Sequence, residues 1–274
     1  MNEKMDETTM PAMGPSPSKH RPDNIKAYKN VKGRELTAHI FSPSGFSKSE
    51  SIPGYLFFHP GGWTMGEPEW GYDICRHLSK LGVVAISFEY RLSSIGGYCP
   101  ADAVSDAKSA VRWTKEHSVE LGIDSNMVLA GGISAGGHLA ACTAMVPGFD
   151  DPDDNMNYST MPQAVVLHTT PVNTATDNHF IELLQGRVKP EDLSPFHHVK
   201  GGMPPMCIIQ GTADEIVSYD SVKEFSRKMQ EAGNQCELHT IEGADHFSIH
   251  VTDQAKAIRL IDEFVLSVIG DVVD

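Results

Sequence analysis

Three residues of this chain have the types and placement that nucleophilic hydrolysis needs: Ser134, Asp214 and His246, each shortly after a short apolar run. A serine hydroxyl is a weak nucleophile near neutral pH. It needs a base to take its proton and a carboxylate to hold the imidazole in the right tautomer. Ser134 sits in Gly131-Gly132-Ile133-Ser134-Ala135-Gly136-Gly137-His138, between a strand candidate and a helical pattern. On so sharp a turn, glycine two before and two after the serine lets neighbouring chain pass where a Cβ would collide. The helix begins at once, so the Ala135 N–H and the helix dipole lie where an oxyanion would form.

Asp214 follows the run 206–210 in Gly211-Thr212-Ala213-Asp214-Glu215, and His246 follows the run 237–241 in Glu242-Gly243-Ala244-Asp245-His246-Phe247. Adjacent side chains point different ways, and Asp214 is preferred to Glu215 as the carboxylate. His250 is placed outside the loop apex as a surface or packing residue. No His-Glu-x-x-His spacing is present, so neither a metal site nor metal-assisted hydrolysis is expected.

What must position these loops is an alternation of strands and helices. Strand candidates fall at 36–41, 55–58, 83–88, 127–130, 164–168, 206–210 and 237–241, the later ones nearly continuous apolar runs of the kind buried parallel strands require. Helical patterns fall at 71–81, 101–121, 135–145, 218–232 and 253–268, with apolar residues at spacings of three and four. The reading is an α/β protein with a mostly parallel central sheet of about eight strands, helices on both faces, and an antiparallel start where no helix separates the first strands. Residues 1–22, rich in Pro, Ser and Met, read as a disordered or loosely docked tail, and 23–274 as a single catalytic domain. In such sheets ligands sit beyond the carboxyl ends of the strands, where all three loops lie.

With these motifs placed, residues 25–270 resemble the hormone-sensitive-lipase-like and acetylxylan/feruloyl-esterase-like (BD-FAE type) branches of the α/β-hydrolase superfamily. The resemblance rests on the serine turn through Ala140, on His59-Pro60-Gly61-Gly62-Trp63, on Glu89-Tyr90-Arg91-Leu92, and on Pro100-Ala101 with Asp106. It implies serine, acid and histidine in that chain order, and hydrolysis of short-chain, acetyl-type esters through an acyl-serine, without a cofactor. Residues 59–63 stand where relatives carry His-Gly-Gly-Gly, and Pro60 departs from that pattern. Proline has no N–H, so the remaining oxyanion donors are Gly61 and Gly62. His59 and Tyr90 read as braces for the loop, Arg91 as the partner of a nearby acid, and Trp63 as either a substrate-binding wall or a loop anchor. The amino-terminal region is too short and polar for the helical cap of many relatives, and the segment between the strands at 164–168 and 206–210 offers only a modest cover. An open, shallow pocket that excludes long acyl chains but admits a bulky alcohol such as an oligosaccharide is expected.

Composition narrows the partners. A formal charge of -14, from 36 acids against 22 bases, argues against nucleic acid or an anionic membrane as partner. The run Asp150-Asp151-Pro152-Asp153-Asp154 reads as a solvated turn. Five scattered cysteines suggest neither a disulfide framework nor a zinc site. No signal-like or membrane-spanning run is visible, so the chain as given reads as soluble and cytoplasmic, or secreted if a leader was removed. Oligomeric state is open. Two other readings share the same residues: an amide hydrolase (arylformamidase or peptidase), and a non-catalytic binding protein on the same fold.

Overall fold

The computed structural model describes residues 18–248 and 252–270; His250 lies outside them. Its centre is one eight-stranded sheet. In chain order the strands are β1 (Asn24–Val31), β2 (Arg34–Phe41), β3 (Ile52–Phe58), β4 (Val84–Phe88), β5 (Ile123–Ile133), β6 (Val165–His168), β7 (Met206–Gly211) and β8 (Cys236–Ile241). Their spatial order is β1-β2-β4-β3-β5-β6-β7-β8. β2 runs antiparallel to both β1 and β4, and every other pairing is parallel.

Side chains on alternate sides of each strand feed two cores, as the pleat requires. Leu56, Phe58, Ile86 and Phe88 join one; Tyr55, Phe57 and Ala85 join the other. The second core is closed by α1 (Tyr72–Ser79) and α7 (Gln254–Gly270). The first is closed by α2 (Pro100–Glu116), α4 (Ala135–Met145) and α6 (Tyr219–Glu231), with a short α3 (Ser118–Leu121) after α2. Every residue of α4 is buried, because its alanines, glycines and Leu139 let sheet, α2 and the segment before β7 close around it. Among the described residues no helix is long and apolar enough to cross a membrane.

Several elements differ from the sequence expectation, each for a local reason. β1 has no strand candidate because its sequence NIKAYKNV is that of an exposed edge: Tyr28 alone is buried along it. β5 runs past 127–130 to Ile133, since Gly131 and Gly132 pair with Val166 and Leu167 instead of turning. The pattern at 101–121 breaks at His117. The acidic run is not a solvated turn. Asp150 and Asp154 accept from Arg112, and Asp151 pairs with Lys29 at 2.7 Å, so buried cations of β1 and α2 draw the run onto the domain. Residues 18–23 lie against α1, where Ser18 Oγ donates to Asp73 at 2.6 Å and Arg76 spans the Arg21 carbonyl and Asp23.

The serial order of the strands reverses between β3 and β5, and Phe58 faces Gly132 in register across that reversal. The crevice it opens lies where the loop after β3 meets the turn after β5.

Candidate active site

Ser134 follows the end of β5 with φ 53° and ψ −121°, a left-handed geometry that a non-glycine residue adopts only under constraint. The constraint is close packing. A Cβ on Gly132 would meet the Gly136 backbone and the Phe58 carbonyl, and one on Gly136 would overlap the Phe58 and His59 carbonyls. The turn therefore presses against the end of β3, and its serine projects toward the loops after β7 and β8.

From those loops come the other two side chains. His246 Nε2 lies 3.1 Å from Ser134 Oγ, and His246 Nδ1 lies 2.8 Å from Asp214 Oδ2. Asp214 Oδ1 accepts from the Ile216 and Val217 amides at 2.9 and 2.8 Å, and Oδ2 also accepts from Gln210 Nε2 at 2.8 Å. Burial would raise the Asp214 carboxyl, but the hydrogen bonds from His246, Val217 and Gln210 outweigh it and hold the group below its ordinary value. A carboxylate kept ionised beside Nδ1 fixes the proton there and leaves Nε2 free to accept from the serine. Glu215 is exposed, away from this line.

Opposite, residues 59–63 form a loop in which Gly61, Gly62 and Trp63 have φ of 130°, 57° and 59°. Its carbonyls are engaged: that of Gly61 accepts from the Thr64 and Met65 amides, that of Gly62 from His179 at 3.2 Å, and that of Trp63 from the Ser93 amide. No described residue accepts from the Gly61 or Gly62 N–H groups. With the Ala135 N–H at the first position of α4, backbone donors thus flank the serine turn from both sides, an arrangement able to meet negative charge developing at a carbonyl attacked by Ser134. Among the described residues no cluster of His, Cys, Asp and Glu could hold a metal ion.

The braces are in place. His59 Nδ1 donates to the Pro60 carbonyl at 2.8 Å, its ring stacks on Tyr90 at 4.1 Å, and Tyr90 Oη donates to the His59 carbonyl. Arg91 binds Asp106 through two side-chain nitrogens and also reaches Asp102. Trp63 is 2% exposed and packed edge-on against Phe180 and His138, contacts that fit a loop anchor and leave little of the ring for a substrate. Sequence reasoning missed Gln210, His138 and His179. Gln210 did carry a signal, since an amide ending a strand of buried residues needs a buried partner. His179 comes from α5 (Asn178–Leu184), and nothing local in the sequence relates it to Gly62.

Two buried histidines give the fold a pH dependence. Burial pushes His59 and His138 down to about 4, so both are neutral in the folded protein and protonate near 6.5 when it unfolds. Their contribution is fully present above about 6.5 and is lost as pH falls toward about 4, on the order of 3 kcal/mol for each. Urea unfolding between pH 7 and 4 is expected to show this decline, with a shallower slope in His138→Leu; an equal slope in that variant would contradict the assignment.

Comparison with known proteins relates the chain to esterases of this fold. A model of the BD-FAE family matches residues 39–229. The apo form of Thermogutta terrifontis esterase 2 superimposes with a TM-score of 0.85 at 36% identity, over 89% of this chain and 94% of that one. That esterase has also been solved propionate-bound and butyrate-bound. The "Probable carboxylic ester hydrolase LipM" of Mycobacterium tuberculosis is 28% identical over 66% of this chain and 46% of its own length. The "Probable isoprenylcysteine alpha-carbonyl methylesterase ICMEL1" of Arabidopsis thaliana is 23% identical over 80% of this chain and 51% of its own. The chain thus spans about half the length of these curated relatives.

Proposed function

Because the chain belongs to the BD-FAE family of α/β-hydrolases, we propose that it is a serine carboxylesterase that cleaves short-chain, acetyl-type esters, with residues 23–274 acting as one catalytic domain. The observation that carries this reading is the hydrogen-bonded line Ser134–His246–Asp214, with the Gly61 and Gly62 N–H groups left without an acceptor among the described residues.

In the proposed reaction His246 Nε2 takes the Ser134 proton as Oγ attacks the ester carbonyl. Asp214 stabilises the resulting imidazolium, and the Gly61, Gly62 and Ala135 N–H groups receive the oxyanion. Collapse of the intermediate breaks the bond to the alcohol oxygen, which leaves with the proton from His246 Nε2. Water, deprotonated by the same nitrogen, then attacks the acyl-serine; collapse breaks the bond to Ser134 Oγ, which takes the proton back from His246 Nε2 as the acid is released. The chemistry draws on side chains and backbone alone and calls for no cofactor.

The short acyl range is supported by the modest cover. Between β6 and β7 only α5 and short 3-10 turns lie over the first core. The structural neighbour holds propionate and butyrate, which are acids of that length. Exposed apolar side chains flank the line, Phe247 beside His246 and Ile216 two residues after Asp214, and supply contact for an alcohol group outside the acyl pocket. A carbohydrate bearing acetyl groups is the alcohol we propose.

The test is hydrolysis of p-nitrophenyl acetate, butyrate and decanoate, with acetate release from acetylated xylan followed in parallel. The expected kcat/KM is highest for the two short esters and at least about tenfold lower for decanoate, since a chain that outruns its pocket displaces the reacting carbonyl, and a misplacement of about an ångström costs on the order of 10²-fold. Preference for decanoate would overturn the acyl assignment. Failure on xylan alone would remove the carbohydrate, and faster turnover of a matched anilide than of the ester would move the assignment to amides.

A further inference from the structure

His138 lies four residues after Ser134 on α4, fully buried, and none of the proposed chemical steps uses it. Both of its ring nitrogens are committed. The Trp63 indole Nε1–H donates to Nδ1 at 3.3 Å, and Nε2 lies 2.8 Å from the Leu193 carbonyl. An indole N–H can only donate and a carbonyl can only accept, so these partners select the neutral imidazole with its proton on Nε2. One ring therefore joins three separate pieces of chain: the oxyanion loop through Trp63, the serine helix through its own backbone, and the cover through Leu193.

The loop needs such a tie. Trp63 is held at φ 59°, a conformation that a bulky residue leaves unless its surroundings impose the strain. Hydrogen bonds to the Gly61, Gly62 and Trp63 carbonyls set how the peptide planes are turned. They arise within the loop, from Ser93 and from α5, and none reaches α4. The indole does reach α4, through His138, whose amide in turn donates to the Ser134 carbonyl at 3.1 Å.

We propose that His138 is a positioning residue: through the Trp63 indole it keeps the Gly61 and Gly62 N–H groups in register with Ser134, and through Leu193 it fixes the cover to the same unit. This rests on the esterase reading above. Misplacing the loop by about an ångström would cost transition-state contacts made only after Oγ attacks, so kcat suffers and KM barely moves.

The experiment compares wild type, His138→Leu, His138→Gln, Trp63→Phe and the double variant His138→Leu/Trp63→Phe on p-nitrophenyl butyrate, together with the ¹⁵N indole resonances of wild type and the three single variants. The Trp63 signal is identified by its loss in Trp63→Phe. Expected is a fall in kcat of about 10- to 100-fold in His138→Leu and in Trp63→Phe, with KM changed less than about threefold. The double variant should be no worse than the poorer single one, because both remove the same contact. His138→Gln, whose amide can accept and donate, should recover most of the loss, and the Trp63 indole signal should move in His138→Leu. Unchanged kcat in folded variants, losses that multiply in the double variant, or a rise in KM alone would overturn the proposal. Should the wild type fail to hydrolyse the ester, the esterase reading falls, and the indole signal still decides the bridge: displaced in His138→Leu it stands, unmoved it is refuted.

Discussion

Asp214→Asn is expected to lower kcat by about 10³- to 10⁴-fold while leaving the fold intact. The reason lies in what faces the carboxylate. All four of its neighbours are donors: the Ile216 and Val217 amides at Oδ1, His246 Nδ1 and Gln210 Nε2 at Oδ2. Asparagine can present only one acceptor oxygen. Two donors face each oxygen, but the backbone amides can only donate while the imidazole can change tautomer, so the oxygen settles against the amides and the NH₂ turns toward His246. The imidazole then accepts at Nδ1 and carries its proton on Nε2, where the serine requires a lone pair. The loss should appear in kcat with little change in the thermal melting temperature; activity within tenfold of wild type would show that Asp214 does not set the tautomer.

The second large effect is on stability. Asp106 is fully buried and accepts from the Arg91 backbone amide at 2.9 Å, from Arg91 Nε and Nη2 at 2.8 and 2.7 Å, and pairs with Lys29 Nζ at 2.9 Å. Asp106→Ala leaves two buried cations without their common partner. Removing one member of a buried pair typically costs about 3–5 kcal/mol, because the desolvated charge remains. Asp102 still holds Arg91 and Asp151 still holds Lys29, which argues for the lower end. At about 2–4 °C per kcal/mol for a domain of this size, the melting temperature should drop by at least roughly 6 °C. A drop under about 2 °C would mean that the remaining acids take over both cations.

These cases mark where sequence reasoning reaches and where it stops. The loops bearing Ser134, Asp214 and His246 each end an apolar strand, so strand endings were enough to single them out. That the three side chains come within hydrogen-bonding distance is a consequence of β5, β6, β7 and β8 lying side by side, a tertiary fact. Buried strands such as Met206–Gly211 are legible because both faces are apolar; β1 is not, because an edge strand spends charge and polarity on solvent. The acidic run shows the same limit. Its charge density indicates water, and cations brought in from distant sequence, Lys29, Lys108 and Arg112, make it an anchor. His138 and Trp63 are 75 residues apart, and no local spacing relates them.

Covalent labelling decides whether Ser134 is the nucleophile of an ester hydrolase. Intact-mass and peptide analysis after reaction with a fluorophosphonate ester would be run on wild type and Ser134→Ala, alongside p-nitrophenyl butyrate hydrolysis by both. Expected is one adduct per chain, located on Ser134, and loss of both labelling and hydrolysis in the variant. Hydrolysis that survives in Ser134→Ala, or an adduct on another residue, would contradict that assignment.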